Sequence, residues 1–226
     1  MINVLFEDNH LLVVNKPANL PTMGVGQREA SLITQAKTYL KQKYDKPGNV
    51  YLGVVSRLDA MVSGVIVLAR TSKAAQRLTT QFRERQVEKI YWAVVPGPAL
   101  QSSATCQDWL IKDDHARRMR VCAADTVGAV EAKLRYHRLC SLGKDQLLKI
   151  ELETGRKHQI RVQFAHRKRP IIGDRKYGSR LPFPEGIALH SRILGLEHPV
   201  EKRPLSFCAP LPASWSDLAI PEDKLG

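Results

Sequence analysis

Asp59 lies in a setting that favours chemistry. It follows Arg57 and precedes the pair Ser63-Gly64 and the apolar run at residues 65–69. An ionised carboxylate beside such a run is destabilised by its lost hydration unless an arginine or backbone N–H groups bind it. A carboxylate held in this way can act as a nucleophile or as a general base. The alternative is that Asp59 caps a helix or forms a turn before a buried strand. When Asp59 is considered alone, this alternative is favoured.

A cationic segment at residues 154–161 can supply the partner that such a carboxylate needs. It contains Arg156, Lys157, His158 and Arg161. An opposite charge within a few ångströms keeps a carboxylate ionised against desolvation. The alternative for this segment is a solvated run of surface charge.

Several sequence blocks resemble those of one enzyme family. Residues 55–59 read Val-Ser-Arg-Leu-Asp and, with Ser63-Gly64, resemble the H-R-L-D-x-x-T-S-G signature of the RluA-type RNA pseudouridine synthases. Ser56 stands where that family usually has His, and Val62 where it usually has Thr, but the Asp is kept. The other blocks occur in the family's order: residues 14–17 (Val-Asn-Lys-Pro), 88–91 (Glu-Lys-Ile-Tyr), 154–162 (Thr-Gly-Arg to Arg-Val), 170–174 (Pro-Ile-Ile-Gly-Asp) and 177–178 (Tyr-Gly).

The resemblance implies three catalytic residues. Asp59 matches the family's catalytic carboxylate, and Arg161 matches the arginine that pairs with it. A planar guanidinium would direct the carboxylate better than a lysine point charge would. Tyr91 matches the aromatic residue that lies against the uracil and has a proton-handling role. Without the flanking motif, a surface arginine is the preferred interpretation of Arg161. On pattern alone, Tyr91 is equally a core tyrosine of its strand.

Four further residues are expected to contact RNA. A uracil inside folded RNA must leave its stack to reach Asp59, at a cost of a few kcal/mol. Arg57 is well placed to stack where the base had been. Arg156, Lys157 and His158 are expected to contact phosphates, and His158 has no evident orienting carboxylate that would make it an acid–base catalyst.

The composition points to a polyanionic partner. The net charge is +13 at pH 7 and the isoelectric point is near 9.8, which favours RNA or DNA because phosphate binding releases counterions. A merely soluble basic protein is the alternative. Cys106, Cys122, Cys140 and Cys208 form no C-x-x-C pair, which argues against a zinc site and a disulfide framework. Pseudouridine formation spends no net bond energy, so neither cofactor nor metal is expected.

The fold class follows from the spacing of apolar residues. Most connections are short enough for antiparallel pairing, which predicts an α+β fold with a mixed, largely antiparallel sheet. The family resemblance implies the same sheet, flanked by helices, with a central RNA-binding cleft. Helices are expected around residues 32–40, at 72–85 with Ser72 as cap, and at 158–166; strands at 3–6, 11–15, 51–55, 65–69, 90–95, 132–139, 146–152, 188–194 and 205–209; and a hairpin at 106–123.

We expect residues 1–226 to form a single catalytic domain with no appended N-terminal RNA-binding module. The N-terminus carries Glu7, Asp8 and Lys16 amid its apolar residues and so lacks the uninterrupted apolar stretch of a signal peptide. The longest apolar run is far too short to span a bilayer. A cytoplasmic protein is therefore expected, and we expect it to be a monomer. The family resemblance implies that it acts on ribosomal or transfer RNA.

Two other functions fit parts of the sequence. A glycosidase-like hydrolase would also act at C1′ of the ribose, but it needs a second acid at a defined distance from Asp59. Glu84, Glu88 and Glu153 lie near motif elements, and no spacing favours one of them. A non-catalytic RNA-binding or assembly factor would need only the net charge. Retention of Asp59 together with Tyr91 and Arg161 argues against it.

Overall fold

The computed structural model describes residues 2–24, 30–45, 47–97 and 101–224. The helices in these ranges are α1 (Leu32–Lys43), α2 (Ser72–Arg83) and α3 (Gln159–His166). The strands are β1 (Asn3–Glu7), β2 (Leu11–Lys16), β3 (Gly53–Val54), β4 (Ser63–Ala69), β5 (Glu88–Pro96), β6 (Ser103–Asp113), β7 (Arg118–Cys122), β8 (Val130–Leu142), β9 (Asp145–Leu152), β10 (Leu189–Glu197) and β11 (Pro204–Cys208).

The chain divides into two compact units. Unit 1 contains residues 1–89 and 191–211, and unit 2 contains residues 90–190 and 212–226. The single catalytic domain of residues 1–226 stays a prediction.

Unit 1 is a sheet covered by helices. Its strands lie in the order β1-β2-β4-β10, with β3 paired to β4 and β11 to β10. The β2 and β4 strands pair antiparallel and are almost wholly buried, so both are runs of aliphatic residues rather than alternating ones. Ala74 and Leu78 of α2 pack on this core beside Val13 and Val67. The β4 strand, which follows the segment that carries Asp59, is therefore held in the buried sheet by its pairing with β2.

Unit 2 is an antiparallel sheet with α3 against it. The strands lie in the order β5-β9-β8-β6-β7, and every neighbouring pair is antiparallel. Leu110, Met119 and Ala132 of the sheet pack against Val162 of α3 and against Tyr177. Most of α3 is buried, which explains why its sequence shows no clear polar face.

The predicted α+β class, with mostly antiparallel strands and few helices, is confirmed, as are the hairpin and the closing strand pair. Some boundaries differ. The strand expected at residues 51–55 is only the two residues of β3. The cap of α2 is Thr71 rather than Ser72, because the Thr71 hydroxyl accepts the Ala74 N–H at 3.1 Å. His158 precedes α3 in a left-handed conformation, with φ of 54°.

Gly64, just before the apolar run that follows Asp59, occupies a position that only glycine can fill. Its φ is +116°, which L side chains rarely adopt. A Cβ atom at this position would collide with the backbone of Ser191 on β10. Glycine therefore lets β4 and β10 approach each other just after the segment that carries Asp59.

Candidate active site

Asp59 lies on the loop between β3 and β4, as the sequence predicts. It is half-buried, while Leu58 and Val62 beside it are buried. The Val62 N–H donates to the Asp59 carbonyl oxygen at 3.0 Å and closes a turn. That bond uses only backbone atoms, so the valine that replaces the family's usual threonine can make it.

Thr22 fixes the backbone immediately before Asp59. Its Oγ1 donates to the Leu58 carbonyl oxygen at 2.8 Å and accepts the Leu58 N–H at 3.2 Å. Thr22 is only 3% exposed, so water does not compete for these bonds. Each such bond contributes about 0.5–1.5 kcal/mol net, and leaving a buried partner unsatisfied costs about 1–3 kcal/mol.

Lys16 fixes the backbone immediately after Asp59. It is the last residue of β2, and its side chain is fully buried. Its Nζ donates to the carbonyl oxygens of Pro17 at 2.8 Å, Leu20 at 2.8 Å and Ala60 at 3.2 Å. Three carbonyl acceptors match the three N–H bonds of an ammonium group, whereas a neutral amine has two.

The charge of Lys16 also acts on Asp59. Burial lowers the pKa of Lys16 from its usual value to about 7, and the negative charge of Asp59 opposes that shift. A buried ammonium is costly unless polar groups surround it, and the three carbonyls supply them. Lys16 therefore provides both a hydrogen bond to the loop and a positive potential at the Asp59 carboxylate.

Arg57 lies on the same loop, two residues before Asp59. Its side chain is exposed, and it makes no hydrogen bond or ion pair with the residues that the structure describes. The neighbouring Leu58 is buried and held by Thr22. The base of the Arg57 side chain is thus fixed while its guanidinium is available to a ligand.

In unit 2, Arg161 forms a buried bidentate ion pair. Its Nε donates to Asp174 Oδ2 at 2.7 Å and its Nη2 donates to Asp174 Oδ1 at 2.9 Å. The two side chains are 5% and 1% exposed, which excludes the alternative of a surface arginine. Losing one partner of a buried pair typically costs about 3–5 kcal/mol, because the other charge stays buried.

Tyr177 connects Arg161 to its neighbours. The Arg161 guanidinium lies 5.1 Å from the centre of the Tyr177 ring. The Tyr177 hydroxyl accepts the Met119 N–H at 2.9 Å and lies 2.8 Å from Nδ1 of His158. The Tyr177 hydroxyl therefore links the His158 ring to the backbone of β7.

The remaining predicted residues are also in unit 2. Tyr91 lies on β5 opposite Ile150 and is half-buried. Arg156 and Lys157 are exposed, and Arg156 Nε donates to the Glu131 carbonyl oxygen at 2.8 Å.

The predicted residues therefore fall into two groups. Asp59 and Arg57 share one loop of unit 1. Arg161 and His158 meet at Tyr177 in unit 2, the unit that also holds Tyr91. The pairing of Asp59 with Arg161 stays a prediction.

Among the described residues, one group approaches the geometry of a metal site. Asp8, His198 and Glu201 place potential ligand atoms within 4.8 Å of one another. However, His198 Nδ1 accepts the Glu201 N–H at 2.8 Å, and its Nε2 lies 2.8 Å from Asp8 Oδ2. Both ring nitrogens are engaged by hydrogen bonds, so the group stabilises the fold.

Among the described residues, none of the helices has the length and apolar composition of a membrane span.

The sequence analysis gave no role to Thr22, Lys16, Asp174 or Tyr177. Lys16 had a local signal, since a lysine inside the apolar run of residues 11–17 needs polar partners if it is buried. Asp174 and Tyr177 lie in sequence blocks that resemble the family's, but their contacts with Arg161 are not visible in the sequence. Thr22 acts on Leu58, and nothing local indicates it.

We predict that Thr22→Val selectively loosens the backbone before Asp59. Valine keeps the volume but removes the acceptor of the Leu58 N–H, so the Leu58 amide should exchange with solvent at least about tenfold faster. Amide exchange measured by NMR tests this, with Thr22→Ser restoring protection. Thr38→Val is the control, because the exposed Thr38 hydroxyl bonds only within α1. Unchanged protection of Leu58 in Thr22→Val would show that Thr22 does not hold this loop.

Comparison with known proteins identifies the family. The family model described as RNA pseudouridylate synthase matches residues 10–166. The ribosomal large subunit pseudouridine synthase D of Xylella fastidiosa is 36% identical over 99% of this chain and 70% of its own length. The tRNA pseudouridine synthase C of Yersinia pestis is 30% identical over 96% of this chain and 90% of its own length.

Solved structures agree with these relatives. The human RNA pseudouridylate synthase domain containing 4 superimposes with a TM-score of 0.78 at 26% identity, over 96% of this chain and 92% of that chain. Sequence relatives, family model and fold thus coincide. The chain belongs to the RNA pseudouridylate synthase family.

Proposed function

We propose that this protein converts specific uridines of structured ribosomal or transfer RNA to pseudouridine, with Asp59 as the catalytic carboxylate. The observation that carries the proposal is the fixed loop around Asp59, held by Thr22 on one side and Lys16 on the other. The substrate class is supported by the relatives, which are named for ribosomal and transfer RNA.

The proposed reaction is an isomerisation at one ribose. The Asp59 carboxylate attacks C1′ or removes a proton from the sugar, and the bond between C1′ and N1 of uracil breaks. The freed base turns and forms a bond from C5 to C1′, which breaks the bond between Asp59 and C1′ if Asp59 acted as the nucleophile. If Asp59 instead took a proton from the sugar, that proton returns to the sugar. C5 then loses its proton, and N1 gains one. Atoms balance without an added reactant, and C5 exchanges its hydrogen with solvent once in each turnover.

Arg161 is proposed to direct the Asp59 carboxylate. Asp174 holds the guanidinium by Nε and Nη2, so the group has one fixed orientation before RNA binds. Such a planar donor fixes a carboxylate better than a flexible ammonium does. Tyr91 is proposed to lie against the uracil and to assist proton movement at C5.

Arg57 is proposed to stack in the place of the extruded base. Its exposed side chain on a fixed backbone supports this role. Arg156, Lys157 and His158 are proposed to contact RNA near the target uridine. The hydrogen bond between His158 Nδ1 and the Tyr177 hydroxyl fixes the orientation of the imidazole ring.

We predict that Asp59→Asn abolishes isomerisation but leaves the Kd for RNA within about tenfold, or roughly 1.4 kcal/mol. Asparagine keeps the shape but has no nucleophilic or basic capacity. Release of tritium from RNA labelled at uracil C5 measures turnover. Asp125→Asn, which changes the charge equally at an exposed position, should retain activity. Turnover by Asp59→Asn free of wild-type enzyme would contradict the assignment.

The same assay separates the competing functions in the parent protein. Exchange at C5 with the base retained in the RNA means a synthase. Free uracil means a hydrolase. RNA binding without either product means a non-catalytic binder and would overturn the proposed function.

We predict that Arg161→Lys lowers kcat by at least about 100-fold although the charge is kept. Lysine cannot make the bidentate contact with Asp174, so the proposed direction of Asp59 is lost. Arg167→Lys is a matched control, because Arg167 also forms a bidentate pair near α3, with Asp108. Rates should be compared below the unfolding transition of each variant. Similar kcat values for the two variants would show that Arg161 only stabilises the fold.

We predict that Arg57→Ala weakens binding of a structured stem–loop by about 1–3 kcal/mol, the usual value of one stacking contact. Binding of an unpaired oligonucleotide should change less, since it has little stack to repair. Fluorescence anisotropy gives both affinities, with the exposed Lys73→Ala as a control for charge. Equal losses on the two RNAs, with a salt slope lower by about 0.7, would show that Arg57 binds a phosphate instead.

A further inference from the structure

The β6–β7 hairpin carries a row of exposed arginines. Arg118 and Arg120 alternate on β7 with the buried Met119, so both point away from the core. Arg117 occupies the turn with φ of 48° and is also exposed. β7 is the last strand in the unit 2 order, so these side chains line an edge of that sheet.

The acidic side chains of this hairpin bind groups other than the three arginines. Asp114 forms an ion pair with Lys112, and Asp108 forms one with Arg167. Asp113 lies opposite Arg118 in the register, but its Oδ1 accepts the Ala116 N–H at 2.9 Å and shapes the turn. In the described part of the chain, the three arginines form no ion pair.

Two more cations adjoin the hairpin. Arg118 Nη1 donates to the Lys176 carbonyl oxygen at 3.3 Å, and the Met119 N–H donates to the Tyr177 hydroxyl. Arg175 and Lys176 are both exposed. We call the resulting surface the β7 basic surface; it consists of Arg117, Arg118, Arg120, Arg175 and Lys176.

This surface differs from the rest of the same sheet. On β8 and β9, lysines are matched by acids: Lys149 pairs with Glu151 at 2.9 Å and Lys133 with Glu153 at 2.9 Å. A face that needs only solubility can intersperse charges in this way. Five neighbouring cations that form no ion pair with a described residue repel one another, and an anionic ligand reduces that repulsion.

The β7 basic surface is also joined to the candidate active site. Tyr177 contacts Met119 of β7 and His158 through its hydroxyl and Arg161 through its ring. An anion bound beside β7 is therefore at a fixed distance from Arg161. The arrangement suits a long polyanion better than a small ion.

We propose that the β7 basic surface binds backbone phosphates of the RNA that flank the target uridine. This inference rests on the proposed function for the identity of the RNA. Exposed arginines that contact phosphates add affinity and set the position of the RNA, without reading the base sequence. They contribute to binding rather than to the chemical step.

The test is the double variant Arg118→Gln/Arg120→Gln. The control is Lys37→Gln/Lys41→Gln, which removes the same charge from exposed positions of α1. Anisotropy of a labelled RNA stem–loop at several salt concentrations gives the Kd and the salt slope. The hairpin variant should bind about tenfold more weakly, with a slope lower by about 1.4–1.8 for two lost phosphate contacts. The control should change less than about twofold.

Turnover gives a second readout. The hairpin variant should raise KM in proportion to Kd, with kcat unchanged at saturating RNA. A second variant, Arg117→Gln/Arg120→Gln, keeps the hydrogen bond from Arg118 to Lys176. It should show the same changes in Kd and KM as the first variant. A folding defect in the first variant therefore does not decide the outcome. Changes equal to those of the control, or a loss confined to kcat, would overturn the proposal.

The binding assay does not depend on catalysis. If the parent binds the stem–loop through β7 but forms no pseudouridine, the proposed function fails and the surface assignment stands. If the parent forms pseudouridine and the hairpin variant binds normally, the surface assignment fails alone.

Discussion

Two side chains hold the backbone on either side of Asp59, and the remainder of the candidate site depends on them. A loop that carries a reactive group has few contacts of its own, so its position must come from the neighbouring structure. Here Thr22 binds the N–H and carbonyl of Leu58, and Lys16 binds the carbonyl of Ala60. Both side chains are buried, so these bonds are made in a medium where leaving them unmade is costly. The loop is therefore ordered before any substrate arrives.

A buried bidentate ion pair plays the corresponding part in unit 2. Arg161 and Asp174 would be expensive to bury separately, but together they satisfy each other's hydrogen bonds. The Tyr177 ring also packs against the guanidinium and restricts its movement. Replacement of such a pair by apolar residues of equal volume is often neutral for stability. The presence of this pair is therefore better explained by the fixed direction that it gives the arginine than by a gain in folding energy.

Much of this arrangement follows from local sequence, but the positioning contacts do not. Alternation and apolar runs predict most strands, and the loop position of Asp59 follows from the two runs that flank it. Thr71 and Ser72 are adjacent, and serine is the more common N-cap residue, so local preference favours Ser72 although Thr71 is the cap. Thr22 acts on a residue 36 positions away. Lys16 is buried although lysine is almost always exposed, because three carbonyls that only the fold brings together surround it.

The distribution of cations connects these features with the net charge of +13. The buried cations Lys16 and Arg161 are each matched by carbonyls or a carboxylate, so they add little to the field outside the protein. The attraction for a polyanion must come from exposed cations that form no ion pair with a described residue, such as Arg118 and Arg120. Salt screens exposed charges strongly and buried ones weakly. Ionic strength should therefore act on the binding of RNA and leave the geometry around Asp59 unchanged, so that affinity and the position of the carboxylate depend on different residues of this protein.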